Sequence, residues 1–399
     1  MLHTQLKLLR QCQRAVLHPF QCGIQQGRRN QETMAVQAIQ ADMAWVVHGE
    51  QGQVVWQGGA CLRGDFQNAR QLLQALVRRI DKPSKAKTKK SGASTPQLPG
   101  TAFHLHRQAQ AQRSRVLGAI LIELAGDYSV NLRRAPDVRL ACMQAFGPGN
   151  GQNSVISLRA LQGVIGAFEW RKNGVALPAL GEGLRIHPHY GVFSPVRGEY
   201  VALVAQAPLP EALKTHPVAF DIGVGTGVLS AVLARRGARQ VVATDMAERA
   251  LACARDNLQR LGLQNQVQLL QTDLFPPGQA ALVVCNPPWL PARPTSVLEQ
   301  AVYDEGSQML KGYLAGLRAH LCEGGEGWLI LSDLAEHLGL RTRNELMGWI
   351  TEAGLTVLGR MDVKPDHGKT RDATDPLHSA RAAEVTSLWR LGAQTQASR

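Results

Sequence analysis

The spacing of apolar side chains along the chain changes character near residue 218. Beyond it, short apolar runs alternate with stretches in which apolar residues recur at helical spacing, the pattern of a parallel sheet covered by helices on both faces. Strands are predicted over residues 218–222, 240–244, 267–271, 281–285, 327–331, 356–361 and 384–391. Between them, residues 228–235 read as a helix, Ala250, Ala254, Leu258 and Leu261 form one helical stripe, and Met309, Leu310, Tyr313, Leu314 and Leu317 form another. Both stripes read as core. Upstream the pattern is shorter-ranged. Two strands are predicted over 43–56 around Gly49-Glu50-Gln51-Gly52, a helix over 67–80 on Leu72, Leu73, Leu76 and Val77, and further helices over 113–124 and 154–170. The expectation is therefore a smaller α/β domain over 35–185 followed by a larger α/β domain over 186–392, with no evident internal repeat.

Composition separates these regions further. From residue 81 to 101 the chain is rich in Lys, Ser, Pro, Gly and Thr, including Lys82, Lys85, Lys87, Lys89 and Lys90, with almost nothing to bury, so a flexible insert is predicted there. Residues 1–34 hold Lys7, Arg10, Arg14, Arg28 and Arg29 before the first acid, Glu32. They lack serine and precede Met34, so a disordered extension is expected in preference to a targeting segment. A disordered tail is expected over 393–399. The most apolar run, 116–122, stops at Glu123 and is far short of the roughly 20 residues a membrane span needs. The seven cysteines, Cys12, Cys22, Cys61, Cys142, Cys253, Cys285 and Cys322, form no Cys-x-x-Cys pair and suggest neither a disulfide framework nor a zinc site, which favours a reducing, cytoplasmic setting. His104 and His106, and His187 and His189, are close pairs without a suitable third ligand, so no metal is expected.

Charge is divided unevenly. Residues 1–200 carry 25 Lys and Arg against 11 Asp and Glu, whereas residues 201–399 carry 19 against 20, so the whole positive excess lies in the first half. A polyanionic partner follows most simply, nucleic acid or a ribonucleoprotein, and the basic domain would be the one that recognises the target. Tyr128 with Arg133, Arg134 and Arg139 places a basic cluster beside an aromatic in that domain.

The chemistry-bearing residues all lie in the second half. Phe220-Asp221-Ile222-Gly223-Val224-Gly225-Thr226-Gly227 follows one predicted strand and opens a helix, so its backbone can turn sharply and approach a ligand at a helix N-terminus. Val228 stands where a dinucleotide fingerprint wants its last glycine, which disfavours a nicotinamide cofactor. Asp245 ends the next strand and can accept from both hydroxyls of a ribose. Asp273, with Leu274 beside it, ends the third and can accept from an adenine amino group. At the end of the fourth strand stands Asn286-Pro287-Pro288-Trp289. The prolines stiffen the turn, so that the Asn286 side chain and the Pro287 carbonyl serve as fixed acceptors for a planar NH2 group, and Trp289 can stack on the flat target.

In the order of these motifs, residues 190–335 resemble the class I methyltransferases that carry an Asn/Asp-Pro-Pro-aromatic turn, a group including HemK-type release-factor glutamine methyltransferases and small-domain rRNA methyltransferases. The resemblance implies a seven-stranded, Rossmann-like sheet with helices on both faces, and S-adenosylmethionine held by Asp221, Gly223, Gly225, Gly227, Asp245, Asp273 and Leu274. It implies that the catalytic residues are Asn286, Pro287, Pro288 and Trp289. Val224 and Trp289 depart from the commoner residues of the two motifs. Gly191 to Tyr200 faintly resembles the segment preceding the fold in HemK-type enzymes, and no role is carried over to Arg197 or Glu199. Three readings of function follow. The first is N-methylation of an exocyclic amine of nucleic acid, ribosomal RNA above all. The second is HemK-like methylation of a glutamine in a translation factor, and the third a non-catalytic binding protein on the same fold.

Overall fold

The computed structural model describes residues 41–50, 53–82, 100–295, 298–366 and 368–394. The expected N-terminal extension, most of the Lys-rich insert and the tail from residue 395 lie outside the described residues. The chain forms two compact units, one of residues up to Lys90 with Ala109–Gly166, the other of Ser91–Gln108 with Ala167–Arg399.

In the first unit, β1 (Ala41–Glu50) and β2 (Gln53–Leu62) form an antiparallel hairpin. Helix α1 (Phe66–Asp81) follows, its first turn capped by Asp65, which accepts from the backbone N–H of Gln67 at 2.8 Å. Helix α2 (Thr101–Leu117), whose residues up to Gln108 are counted with the second unit, stops at Gly118, and Ile120–Leu124 is strand β3, parallel to β2. The helix expected over 113–124 is thus half strand. The apolar run that suggested one element straddles two, and in Ile120-Leu121-Ile122 alternate β-branched side chains favour the pleated sheet. Glu123 is the one exposed residue of β3. After α3 (Arg139–Phe146) comes β4 (Ser154–Ser157), antiparallel to β3, and only then α4 (Leu158–Asn173). The helix expected from residue 154 therefore begins at Leu158. Ser157 makes the switch, since its hydroxyl accepts from the N–H of Ala160 at 3.1 Å and opens the first turn. Phe66, Ala69 and Leu73 of α1, with Ile122, Leu158 and Leu161, are buried in this unit.

The second unit opens with the short strands β5 (Val175–Ala176) and β6 (Arg185–Ile186) and helix α5 (Glu199–Gln206). Its sheet is built from β7 (Val218–Ile222), β8 (Gln240–Asp245), β9 (Val267–Gln271), β10 (Ala280–Cys285), β11 (Leu321–Ser332), β12 (Leu355–Val363) and β13 (Thr386–Ala393). The strand order is β12-β13-β11-β10-β7-β8-β9. All pairs from β11 to β9 are parallel, and β13 runs antiparallel to both its neighbours. Interleaved are α6 (Val228–Arg235), α7 (Glu248–Arg260), α8 (Gln308–His320), α9 (Leu334–His337) and α10 (Arg343–Glu352). This is the expected seven-stranded, Rossmann-like sheet with helices on both faces.

β10 shows why a continuous apolar run is the signature of a parallel strand: all six of its residues are buried. Leu282 and Val284 face one core with α5, α6 and α7, through Val201, Val204, Val228, Val232 and Leu258. Val283 and Cys285 face the other with α8 and α10, through Leu310, Tyr313, Leu317, Leu346 and Ile350. Strand order reverses between β7 and β10, and in open sheets of this kind the crevice outside the carboxyl ends at such a reversal is where ligands bind. The glycine loop leaves β7 and the Asn-Pro-Pro-Trp turn leaves β10 at that edge.

Candidate active site

The loop after β7 is tied to β8 by its own backbone. The N–H groups of Gly223 and Val224 both donate to the Thr244 carbonyl, at 2.9 and 2.8 Å, and Gly227 N–H donates to the Val224 carbonyl. Gly225 has φ +51° and its missing side chain would meet nothing within 4 Å, so the loop there faces open space. Gly227 has φ +81° and lies against Ala254 of α7, whose Cα would stand 3.2 Å from any Cβ, so its glycine serves helix packing. At Gly223 the same Cβ would meet Met309 of α8 at 2.9 Å. Met309 had read only as core, and it proves to back the loop.

Asp221, on β7, is fully buried. Its Oδ2 accepts from the Ser230 hydroxyl at 2.5 Å, and its Oδ1 has no partner among the described residues. Burial, only partly offset by Ser230, pushes its carboxyl up to about 7. Asp245, at the end of β8, accepts from Gly225 N–H at 3.2 Å through Oδ2 and from Ala247 N–H at 2.9 Å through Oδ1. Burial raises its pKa too. Asp273 is exposed just past β9, and Leu274 takes a left-handed φ of 56° while its carbonyl accepts from Thr244 Oγ1 at 2.5 Å. Thr244 thus joins the glycine loop to the Asp273-Leu274 turn.

These residues fit S-adenosylmethionine by their own chemistry. A buried carboxylate oxygen without a partner suits a cationic ligand, the open side of Gly225 admits close backbone approach, and Asp245 retains free lone pairs for hydroxyl donors.

β10 pairs with β7 in the register Val284 with Asp221 and Cys285 with Ile222, so one step further Asn286 follows on β10 where Gly223 follows on β7. Trp289 donates its indole N–H to Asn286 Oδ1 at 2.9 Å, while its ring packs against both cores. Arg197 lies over that ring, 5.5 Å from the centroid, donating to Glu199 at 2.8 Å and to buried Glu384 at 3.2 Å. Sequence reasoning left Arg197 and Glu199 without a role and absorbed Glu384 into a strand. The one available signal was an acid at the head of an apolar strand.

Residues 183–334 match the model of the methyltransferase small domain family. Three curated relatives point the same way. A release factor glutamine methyltransferase of Cereibacter sphaeroides is 32% identical over 189 residues, covering 43% of this chain and 63% of that protein. A tRNA1(Val) (adenine(37)-N6)-methyltransferase of Shewanella sp. is 34% identical over 102 residues, covering 24% and 42%. A ribosomal protein L11 methyltransferase of Caldanaerobacter subterraneus is 29% identical over 138 residues, covering 30% and 44%. The chain spans between 42% and 63% of the length of these relatives. The match to the methyltransferase small domain and these similarities bear out the resemblance read from the motifs.

Several other sequence candidates are held by ion pairs, hydrogen bonds or ring contacts. His189 Nε2 lies 2.9 Å from Asp256, and the backbone N–H of His187 donates to Asn257, so both tie their segment to α7. Arg134 pairs with Asp65 and Arg139 with Asp137, and Tyr128 packs its ring 6.4 Å from Phe146. Among the described residues no group of His, Cys, Asp or Glu could hold a metal ion, and no helix is long and apolar enough to cross a membrane.

Proposed function

We propose that this chain is an S-adenosylmethionine-dependent N-methyltransferase whose target is a planar NH2 group of a macromolecule, an exocyclic amine of RNA first. The observation that carries the reaction class is the placement of the Asn286-Pro287-Pro288-Trp289 turn on the strand adjoining the glycine loop, at the reversal of strand order. When bound, S-adenosylmethionine supplies a sulfonium methyl group as the electrophile. Asp245 would hold the ribose, Asp273 and Leu274 the adenine side, and Asp221 with Gly223, Gly225 and Gly227 the amino-acid end.

An NH2 nitrogen conjugated to a ring or carbonyl is a poor nucleophile because its lone pair is delocalised. Asn286 Oδ1 has one lone pair taken by Trp289 and a second left for a target N–H; the Pro287 carbonyl offers another acceptor. Two such bonds favour a pyramidal nitrogen with its lone pair directed at the methyl carbon, and fixed acceptors need no reorganisation as charge develops. Trp289 is half-buried, with Arg197 over its ring, and would border the flat target with the part of the ring left exposed. S-adenosylmethionine would supply the methyl group with its sulfur as the leaving group, and the surplus proton on the target nitrogen would pass to water.

The choice of RNA rests on the positive excess of the first 200 residues. A second reading, glutamine of a translation factor, is favoured by similarity to release factor glutamine methyltransferases, one of which aligns over 189 residues. A cytoplasmic setting accords with either target. Purified protein, labelled S-adenosylmethionine and an extract of cells lacking the enzyme separate the two. Label removed by nuclease supports RNA, label removed only by protease supports glutamine, and the absence of macromolecular label overturns both.

A further inference from the structure

We propose that Arg197 is a positioning residue for the Asn-Pro-Pro-Trp turn, clamping the Trp289 indole so that its N–H fixes the Asn286 amide in the one orientation that can accept a target's protons. The inference rests on the reading of Asn286 as an acceptor of the target NH2.

An asparagine amide can turn over about its last side-chain bond, exchanging an acceptor oxygen for a donor NH2. Only the oxygen serves an NH2 target. An indole N–H is solely a donor, so a hydrogen bond from Trp289 selects the amide oxygen as its partner and rejects the flipped form. The observed bond, Nε1 to Oδ1 at 2.9 Å, is of that kind. A tyrosine or phenylalanine at this position lacks the group, which gives the departure at Trp289 a specific consequence.

The indole must itself be held for this to work, and Arg197 is placed to hold it. Its guanidinium lies 5.5 Å from the ring centroid, within the range of a cation–π contact. It is in turn fixed from two sides. Nε donates to Glu199 Oε1 at 2.8 Å and Nη2 to Glu384 Oε1 at 3.2 Å. The planar fork of arginine lets one side chain make both bonds while keeping a face for the ring.

Glu384 is the anchor. Its side chain is 1% exposed, its Oε1 also accepts from the Ser332 hydroxyl at 2.8 Å, and its Oε2 finds no partner among the described residues. A buried carboxylate needs a cation, and among the described residues Arg197 pairs with it. The backbone around it is locked, because Asp333 N–H donates to the Val385 carbonyl at 3.1 Å and Val385 N–H donates to the Asp333 side chain at 2.7 Å. The ends of β11 and β13 therefore set Arg197, Arg197 sets Trp289, and Trp289 sets Asn286.

The test uses the full chain labelled with [15N]tryptophan, so that each indole N–H gives its own resonance and that of Trp289 is assigned by its loss in Trp289→Phe. In Arg197→Ala and in Asn286→Ala this resonance should move, while those of Trp170 and Trp349 stay in place. Arg197→Gln combined with Glu384→Gln removes both charges together and should give the same shift if Arg197→Ala alone does not fold. The dissociation constant for S-adenosylmethionine should remain within about twofold, and single-turnover methyl transfer to the extract should fall about tenfold or more, as expected for a misplaced group. In a Trp289→Phe background, Arg197→Ala should have little further effect. An unmoved Trp289 resonance in both Arg197 variants overturns the proposal, as does an undiminished Arg197 effect without the indole. Because the resonance is read without turnover, an inactive parent enzyme would refute the assigned function and leave the positioning role to be decided by the spectrum.

Discussion

In the proposed site, Asp221 would make cofactor binding depend on pH. Burial raises its carboxyl to about 7 from an ordinary value of 3.8, so the ligand-free fold holds a proton there that the unfolded chain gives up. With the folded pKa above the unfolded one, this group's contribution to stability is fully present below about pH 4 and is lost as pH rises towards about 7. A cationic ligand beside Asp221 favours the ionised form, reversing the preference. Binding of S-adenosylmethionine at pH 6 should therefore release a proton, and affinity should weaken as pH falls below about 7. Calorimetry in two buffers of different ionisation enthalpy measures the released proton directly, and Asp221→Asn should abolish it. A binding enthalpy independent of buffer in the parent would show that Asp221 is already ionised.

At the scale of elements, the site depends on helices placed behind it. Asp304 accepts from the N–H groups of Gln308 and Met309 at 2.9 Å each and closes the first turn of α8, the helix whose Met309 backs Gly223. Asp304→Ala should cost about 1–2 kcal/mol in urea denaturation, the usual loss for a helix cap, and should weaken S-adenosylmethionine binding; Asp304→Asn should lose less. Unchanged stability would mean that water replaces the carboxylate.

A parallel strand buried on both faces is legible as a continuous apolar run, as in β10; the bounds of β7 and β9 also coincide with those predicted, although β9 lies at the sheet edge and is only partly buried. β11 runs from Leu321 rather than 327 because its first half, Cys322 to Glu326, is polar or glycine and carries no such signal. In the first unit β3 and β4 were hidden for the opposite reason. Each adjoins a helix with almost no intervening loop, and only Gly118 and Ser157 mark the joins. The glycine loop and the Asn286 turn were legible because their residues are contiguous. The clamp on Trp289 was not, since Arg197 and Glu384 stand 187 residues apart and meet only when β13 enters the sheet beside β11.

For the whole molecule, the two halves of the chain differ in composition. The second half carries the methyltransferase small domain match and almost no net charge, and the first half carries the positive excess. If the target is RNA, as proposed, its affinity should fall as salt rises.

The most direct measurement is the single-turnover rate of methyl transfer by Asn286→Ala beside its dissociation constant for S-adenosylmethionine. Loss of a fixed hydrogen-bonding group that acts on the reacting atom should lower the rate by about 100-fold or more while leaving cofactor affinity within about threefold. A variant that transfers methyl groups as fast as the parent would show that the reaction takes place without Asn286 and would contradict the assignment of this turn as the active site.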